Sequence, residues 1–486
     1  MENTLNQKVQ KATAWSSITE IIAKLILPIV NIILARLLVP EDFGVVATIT
    51  MIISFAEIFT DAGFQKYIIQ HEFSTQDDLD NSTNVAFWTN IVFSIAIVLG
   101  IVLFRNAIAE LVGSPDLGGA IAIASLIIIV VAFSSIQMAR YKRDFDFKGL
   151  FFVRTGTSLI PLFVTIPLAI IFRNFWALLI GTFASNIFNA AILTWKSKWR
   201  PKFYYSFKLF KKMFAFSGWT LLESVSIWLT SYIGVFIVGK HLDDYYLGIY
   251  KTAMSTVNSF MGIITAAITP VLFSTLSRYQ NDRENFSKAY YSFQRLTAIF
   301  VLPMGIGVFL YSDLITRILL GKQWMEASGF IGWWGLTNAL TMVLSYFSSE
   351  VYRSKGNPKI SLFSQILHLL FLIPTLIISV QYGFKVLYIS RSLIRLQGIL
   401  VGLIIMHVAY GLKMMQIIRN IFPMAISSLI MGLIGYLLQQ ISVSMLWQFA
   451  SILICVSVYF AVLLVISPSL RKDLLQTKFI KKLKNQ

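Results

Sequence analysis

Cysteine is nearly absent from this chain of 486 residues: Cys455 is the only one, and it lies inside an apolar run. A disulfide framework is therefore excluded. Histidine is almost as scarce. His71, His241, His368 and His407 stand far from one another and from Cys455, so a zinc cluster or a Cys/His nucleophile pair has no local support. Charged residues make up 13%, against about 25% in soluble domains. Nor is there a G-x-x-x-x-G-K-[ST] nucleotide loop. The longest polar connections, 66–81 and 196–212, are too short to carry a polymerase or glycosyltransferase site. In the first of them Asp77, Asp78 and Asp80 read as residues favoured by the N-terminal dipole of a following helix. No enzyme activity, cofactor or metal is expected.

What the chain has in abundance is hydrophobic surface. Apolar residues make up 56%, and runs of about 18–25 residues, each long enough to span a bilayer, recur from Trp15 to Ile466. The first run is about 22 residues long and no small-residue cleavage site follows it, so a retained helix is expected rather than a signal peptide. The reading is an all-α integral membrane protein of about fourteen transmembrane helices. Their approximate bounds are 14–37, 43–65, 82–104, 117–139, 150–172, 175–195, 213–239, 245–276, 289–311, 327–350, 359–381, 384–410, 417–438 and 443–466.

The excess of base is read as topology. The chain carries 41 Lys and Arg against 23 Asp and Glu. Nucleic acid is not an expected partner, because no soluble face is large enough to gather that charge. With the N-terminus placed in the cytoplasm, the connections on that side hold 28 of the bases and those opposite hold 7. By the positive-inside rule both termini are expected in the cytoplasm of a multi-pass protein of the plasma membrane.

An internal repeat is visible. A shift of 204 residues lays Trp15 on Trp219, Arg36 on Lys240, Leu38 on Leu242 and Gly44 on Gly248. With small insertions Ile108 and Gly113 meet Ile315 and Gly321, and at a shift of 213 Arg140 meets Arg353 and Leu159, Ile160 and Pro161 meet Leu372, Ile373 and Pro374. The expected organisation is an N-terminal six-helix half, 1–205, and a C-terminal six-helix half, 206–412. Two additional helices, 413–466, and a basic cytoplasmic tail, 467–486, complete it. Six is even, so the halves are parallel repeats about an axis along the membrane normal, with a central cavity between them. Seven prolines inside helices (Pro28, Pro161, Pro167, Pro270, Pro303, Pro374 and Pro423) supply bend points.

One stretch is specific. A first helix closing on Ala35, Arg36, Leu37 and Leu38, followed by Pro40, Glu41, Asp42, Phe43 and Gly44, resembles polysaccharide flippases of the Wzx type. So does Pro303, Met304, Gly305, Ile306 and Gly307 ahead of the segment from Leu319 to Ala327 around Trp324. These flippases share the multidrug/oligosaccharidyl-lipid/polysaccharide (MOP) exporter superfamily with multidrug exporters and peptidoglycan-precursor flippases. The resemblance covers nearly the whole chain. It implies a transporter that carries prenyl-diphosphate-linked oligosaccharide across the membrane for capsule, exopolysaccharide or O-antigen synthesis, with membrane lipid and other polysaccharide-assembly proteins as partners. Two other readings stand beside it: a cation-coupled multidrug antiporter of the sister family, and a membrane polymerase of the same pathway. The antiporter needs acidic cavity residues, whereas the deep charges here are mostly basic.

Charges at membrane depth are the candidate site, since each costs a few kcal/mol unless it meets a cavity or a partner. On the first helix Glu20, Lys24 and Asn31 continue one polar stripe, with Lys24 about 15 Å deep. Arg391 and Arg395 share a face of the twelfth helix and suit a diphosphate, which arginine holds through paired hydrogen bonds. Arg154, Lys251 and Arg295 lie nearer their helix ends and join the substrate-binding candidates. Glu20, Glu57, Asp61 and Glu223 are the candidates for charge balance or for a coupling ion. Aromatics such as Trp228, Tyr232, Trp333 and Trp334 suit stacking on sugar rings in a cavity, but interface belts and packing explain most of them and none is assigned to the site.

Overall fold

A computed structural model describes residues 25–61, 63–197, 199–355 and 357–467, with Trp15, Thr19 and Ile22. Among them there is no strand. Hydrocarbon offers no partner to a peptide group, so each spanning segment satisfies its own N–H and C=O groups by coiling. The helices are α1 (Leu25–Leu37), α2 (Pro40–Asp61), α3 (Phe64–Gln70), α4 (Gln76–Leu103), α5 (Arg105–Leu111), α6 (Gly118–Arg143), α7 (Phe147–Phe163), α8 (Thr165–Phe172), α9 (Trp176–Lys196) and α10 (Phe207–His241). There follow α11 (Asp244–Arg278), α12 (Arg283–Leu310), α13 (Ser312–Leu319), α14 (Ser328–Leu344), α15 (Ser348–Ser354), α16 (Pro358–Val380), α17 (Phe384–Leu393), α18 (Arg395–Tyr410), α19 (Met414–Gln439) and α20 (Met445–Ile466).

Eleven spans among the described residues are long and apolar enough to cross a bilayer, and α11, bent by 42° between Ala266 and Val271, makes twelve if taken whole. Of the expected first crossing, 14–37, the described part is helical over Leu25–Leu37, and most of 14–24 lies outside the described residues. The expected crossing at 327–350 is shorter, the 17-residue α14, which stops before α15. It stops because Ser345 N and Tyr346 N both donate to Thr341 O, a wider turn that ends the regular ladder. Prolines act as expected at the 150–172 run. Between Pro161 and Pro167 the helix breaks at Val164, dividing α7 from α8.

Packing divides the chain into two compact units, Met1–Ser255 with Gln365–Phe384, and Thr256–Ser364 with Lys385–Gln486. In the first unit Ile49, Ala124, Ile127 and Ile128 form a buried seam of α2 and α6. Between crossing helices polar side chains pair: Asn90 Nδ2 donates to Ser135 Oγ at 2.6 Å, and Gln137 Nε2 to Thr194 Oγ1 at 2.9 Å. Such pairs cost little when satisfied and tie helices that have no hydrophobic drive to associate in lipid. Of the aspartates at the start of α4, Asp77 and Asp78 lie in its first turn behind a Thr75 cap, while Asp80 accepts from Arg140 at 2.7 Å.

Helices α2 and α11 approach closely at their N-termini, and the approach is reciprocal. A Cβ on Gly44 would stand 1.9 Å from Asp244 O, and one on Gly248 would stand 1.8 Å from Pro40 O. Pro40 and Asp244 are themselves 204 residues apart, as are the two glycines. Only glycine admits this backbone contact.

In the second unit α12 is packed between α14 and α19, and α20 leans on α19. Asn420 Nδ2 donates to Gln294 Oε1 at 3.1 Å, Tyr311 Oη to Ser451 Oγ at 2.9 Å, and Tyr459 Oη to Ile299 O at 2.7 Å. These bonds secure α19 and α20, the helices beyond the expected repeat, to α12.

Candidate functional site

The second unit holds a cationic site made by α11, α14, α17 and α18. The span 384–410 is interrupted at Ile394, whose N–H still donates to Ser390 O at 2.9 Å before α18 starts. Arg391 lies in the last turn of α17 and Arg395 opens α18, so the two arginines flank the interruption. Both lie over the indole of Trp334 on α14, their Cζ atoms 5.2 and 4.1 Å from the ring centroid. Cation–π attraction is worth about 2 kcal/mol where the pair is desolvated, which offsets part of the cost of holding two like charges together. Arg395 Nη2 donates to Asn338 Oδ1 at 2.6 Å. Asn338 Nδ2 reaches Asn258 Oδ1 at 3.3 Å, and Trp334 Nε1 donates to the same oxygen at 3.1 Å. Asn258 thus orients the indole and the amide, and both orient Arg395. A second Arg395 nitrogen, Nη1, is buried without a hydrogen-bond partner among the described residues. A buried guanidinium with an unused donor has the chemistry of an anion site.

The first unit holds a second polar patch, on α2, α10 and the start of α11. Trp228 Nε1 donates to Ser54 Oγ at 3.0 Å and its ring stacks on Tyr232 at 5.6 Å. Lys251 Nζ lies 4.7 Å above Tyr232. Gln365 Nε2 donates to Thr230 Oγ1 at 3.2 Å. One turn along α2 from Ser54, Glu57 makes no ion pair among the described residues.

The expected site residues are thus only partly assembled. Arg391 and Arg395 come together as the sequence implies. Lys251 sits in the other unit on an aromatic ring, and Arg154, also there, is half-buried on α7. Arg295 does not join the arginine pair: its Nη2 donates to Ser467 Oγ at 3.0 Å, at the end of α20. Asn31 is exposed on α1. Glu223 pairs with Lys66 of α3 at 3.1 Å, so it balances a base from a polar connection rather than one at membrane depth. Glu20 and Lys24 lie outside the described residues; Asp61 closes α2. Sequence reasoning missed Asn258 and Asn338, and named Trp334 without assigning it to the site. The available signal was an asparagine one helical turn from a tryptophan on an apolar helix, where a polar amide needs a partner.

Among the described residues the fold is all-helical, with at least eleven helices long and apolar enough to cross a bilayer. Solved structures share this fold. The lipid II flippase MurJ in an inward closed conformation superposes with a TM-score of 0.77 at 18% identity, over 95% of this chain and 99% of that one. A multidrug resistance MATE family transporter of the MOP superfamily superposes at 0.62 and 14% identity, over 82% and 96%. The sequence pattern of the family described as polysaccharide biosynthesis protein matches residues 33–329, and the chain belongs to that family. Among its relatives, the succinoglycan biosynthesis transport protein ExoT of Rhizobium meliloti is 24% identical over 317 residues, 65% of this chain and 63% of that protein. The lipopolysaccharide biosynthesis protein WzxC of Escherichia coli is 22% identical over 327 residues, 66% of this chain and 65% of that one. The chain thus matches just under two thirds of the length of each of these relatives.

Proposed function

We propose that this protein flips lipid-linked oligosaccharide units across the plasma membrane for polysaccharide assembly, with both termini in the cytoplasm. The observation that carries the reading is the Arg391–Trp334–Arg395 stack with its unused Arg395 donor, set within the spans of a chain of the polysaccharide biosynthesis family. The two guanidinium groups hold the diphosphate of a prenyl-diphosphate-linked oligosaccharide, while Asn258 and Asn338 offer amides to the sugar hydroxyls. The prenyl tail stays in lipid. The relatives named for succinoglycan transport and lipopolysaccharide biosynthesis, and a fold neighbour named a lipid II flippase, support this class of cargo. Other polysaccharide-assembly proteins receive the flipped unit.

The halves 1–205 and 206–412 rock as parallel repeats, and the reciprocal Gly44 and Gly248 contact supports that register. The energy is electrical. Two cargo charges leaving a negative interior gain about 4–5 kcal/mol per 100 mV if the arginines stay fixed. Glu57, on a spanning helix and without an ion pair among the described residues, favours a second version in which a proton or sodium ion drives the cycle. Flipping of a labelled lipid-linked glycan in liposomes tests both. Under a potassium-diffusion potential alone the wild type flips and Arg395→Ala does not. Flipping that ignores the potential and follows a proton or sodium gradient refutes the voltage-driven version and points to Glu57. Arg395→Ala flipping at the wild-type rate refutes the site.

A further inference from the structure

On the outer face of the first unit, α6 and α9 part to leave an apolar groove of about 540 Å³. Ile129, Val130 and Phe133 line one wall and Ile187, Ala191 and Trp195 the other. Thr194 also borders it, but its hydroxyl already accepts from Gln137. Apart from the Trp195 indole the groove offers a ligand no hydrogen bond, so it suits a hydrocarbon chain and not a sugar.

The Trp195 end of the groove leads into a basic connection, the collar, where Lys196 Nζ lies 5.6 Å over the Phe152 ring of α7. Past Lys196 the chain turns, and Arg200 donates to the carbonyl oxygens of Thr194, Trp195, Ser197 and Trp199, closing the last turn of α9. Lys202 is pinned beside it: its N–H donates to Asn84 Oδ1 at 2.9 Å and its carbonyl accepts from Trp88 Nε1 at 2.9 Å. Phe203 stacks on Trp88 at 4.8 Å. Phe87 touches both Phe133 of the groove wall, at 5.4 Å, and Trp199 of the collar, at 5.7 Å. Lys196 and Lys202 are exposed. Residues 147–222 contain no Asp or Glu at all, so nothing within that stretch neutralises the collar.

We propose that groove and collar bind one anionic diacyl phospholipid, an acyl chain lying along α6 and α9 and the phosphate resting between Lys196 and Lys202. Trp195 supplies an indole N–H at headgroup level, where tryptophan is favoured. The leaflet is the one facing the 196–212 connection, which is cytoplasmic under the orientation proposed above; the binding itself does not depend on that orientation. Basic segments beside a membrane attract acidic lipid in this way.

Native mass spectrometry of the purified full chain, titrated with phosphatidylglycerol or phosphatidylcholine, tests the proposal. Phosphatidylglycerol should be retained at least ten times more tightly. Lys196→Gln and Lys202→Gln should each weaken it about five-fold, leaving phosphatidylcholine unchanged. Ala191→Trp should fill the groove and remove the tight adduct whatever the headgroup; Ile187→Trp, at another exposed position, serves if that variant does not purify as a single species. Excess glycerol phosphate should leave the lipid in place. Equal retention of the two lipids by the wild type, unchanged phosphatidylglycerol binding in the lysine variants or in the groove variant, displacement by glycerol phosphate, or displacement by a prenyl diphosphate would each overturn it.

Discussion

A single added methyl group tests the close approach of α2 and α11. In Gly248→Ala the new Cβ would lie 1.8 Å from Pro40 O and 2.6 Å from its carbonyl carbon. A carbon and a carbonyl oxygen rest at about 3.3 Å or more, so α2 and α11 must part by roughly 1.5 Å at this point. Both partners are backbone, and no flexible side chain can yield in their place. Overpacking of this kind costs about 1–3 kcal/mol. Alanine returns about 1 kcal/mol through its better helix propensity, which leaves up to about 2 kcal/mol against the packed arrangement. If the two helices part during the transport cycle, the packed state loses up to about thirty-fold in population. The assay is hydrogen exchange at the amides of 40–48 and 244–252. Exchange there should quicken by that factor in Gly248→Ala, and by a similar one in Gly44→Ala, while other spans keep their protection. The double variant should fall short of the sum, because either methyl already opens the same interface. Unchanged exchange in both single variants, or a strictly additive double, would show that the contact is not the constraint described.

Arg395→Lys keeps the charge but loses the planar fork over Trp334 and the bond to Asn338; glycan export should fall at least ten-fold at unchanged membrane abundance, and Trp334→Leu should give a similar loss. Asp80→Ala strands the Arg140 guanidinium, which is 8% exposed, and should lower stability in a thermal melt by about 2–3 kcal/mol. Arg140→Met, which leaves Asp80 open to water, should cost less. Burial first, and then Lys212 and Arg143 beside it, hold the His71 imidazole below the ordinary histidine range, so the folded protein binds this proton less readily than the unfolded chain. Its contribution is therefore complete above about pH 6.5 and declines as the pH falls through that value towards the folded pKa. Melting temperatures measured from pH 5 to 8 should drop on the acid side for the wild type and drop less for His71→Gln.

Much of the fold is legible in one dimension. Each run of apolar residues at Pro40–Thr60, Gln76–Leu103 or Met445–Ile466 forms a helix because no other backbone conformation satisfies itself in hydrocarbon. Gly44 and Gly248, which a shift of 204 residues aligns in the sequence, each meet the start of the other's helix. Arg391 and Arg395 were visible because four residues on a helix is one turn. Their setting was not. Trp334 and Asn338 lie more than fifty residues earlier and Asn258 farther still, on helices apolar on nearly every face. Asp80 reads from the sequence as a helix-cap residue and pairs with Arg140; Glu223, a candidate for charge balance or a coupling ion, pairs with Lys66. Arg295 was indistinguishable from a cavity base until Ser467 was placed beside it.

Class, helical content and the asymmetry of charge between alternate connections follow from composition and order alone, because the bilayer acts on every residue in the same way wherever its neighbours are. Which buried polar groups meet is decided by how helices pack. In lipid a helix has no single apolar face to announce its neighbour, so that choice rests on small residues, hydrogen bonds and shape, and it becomes visible only when the tertiary structure brings the partners within reach.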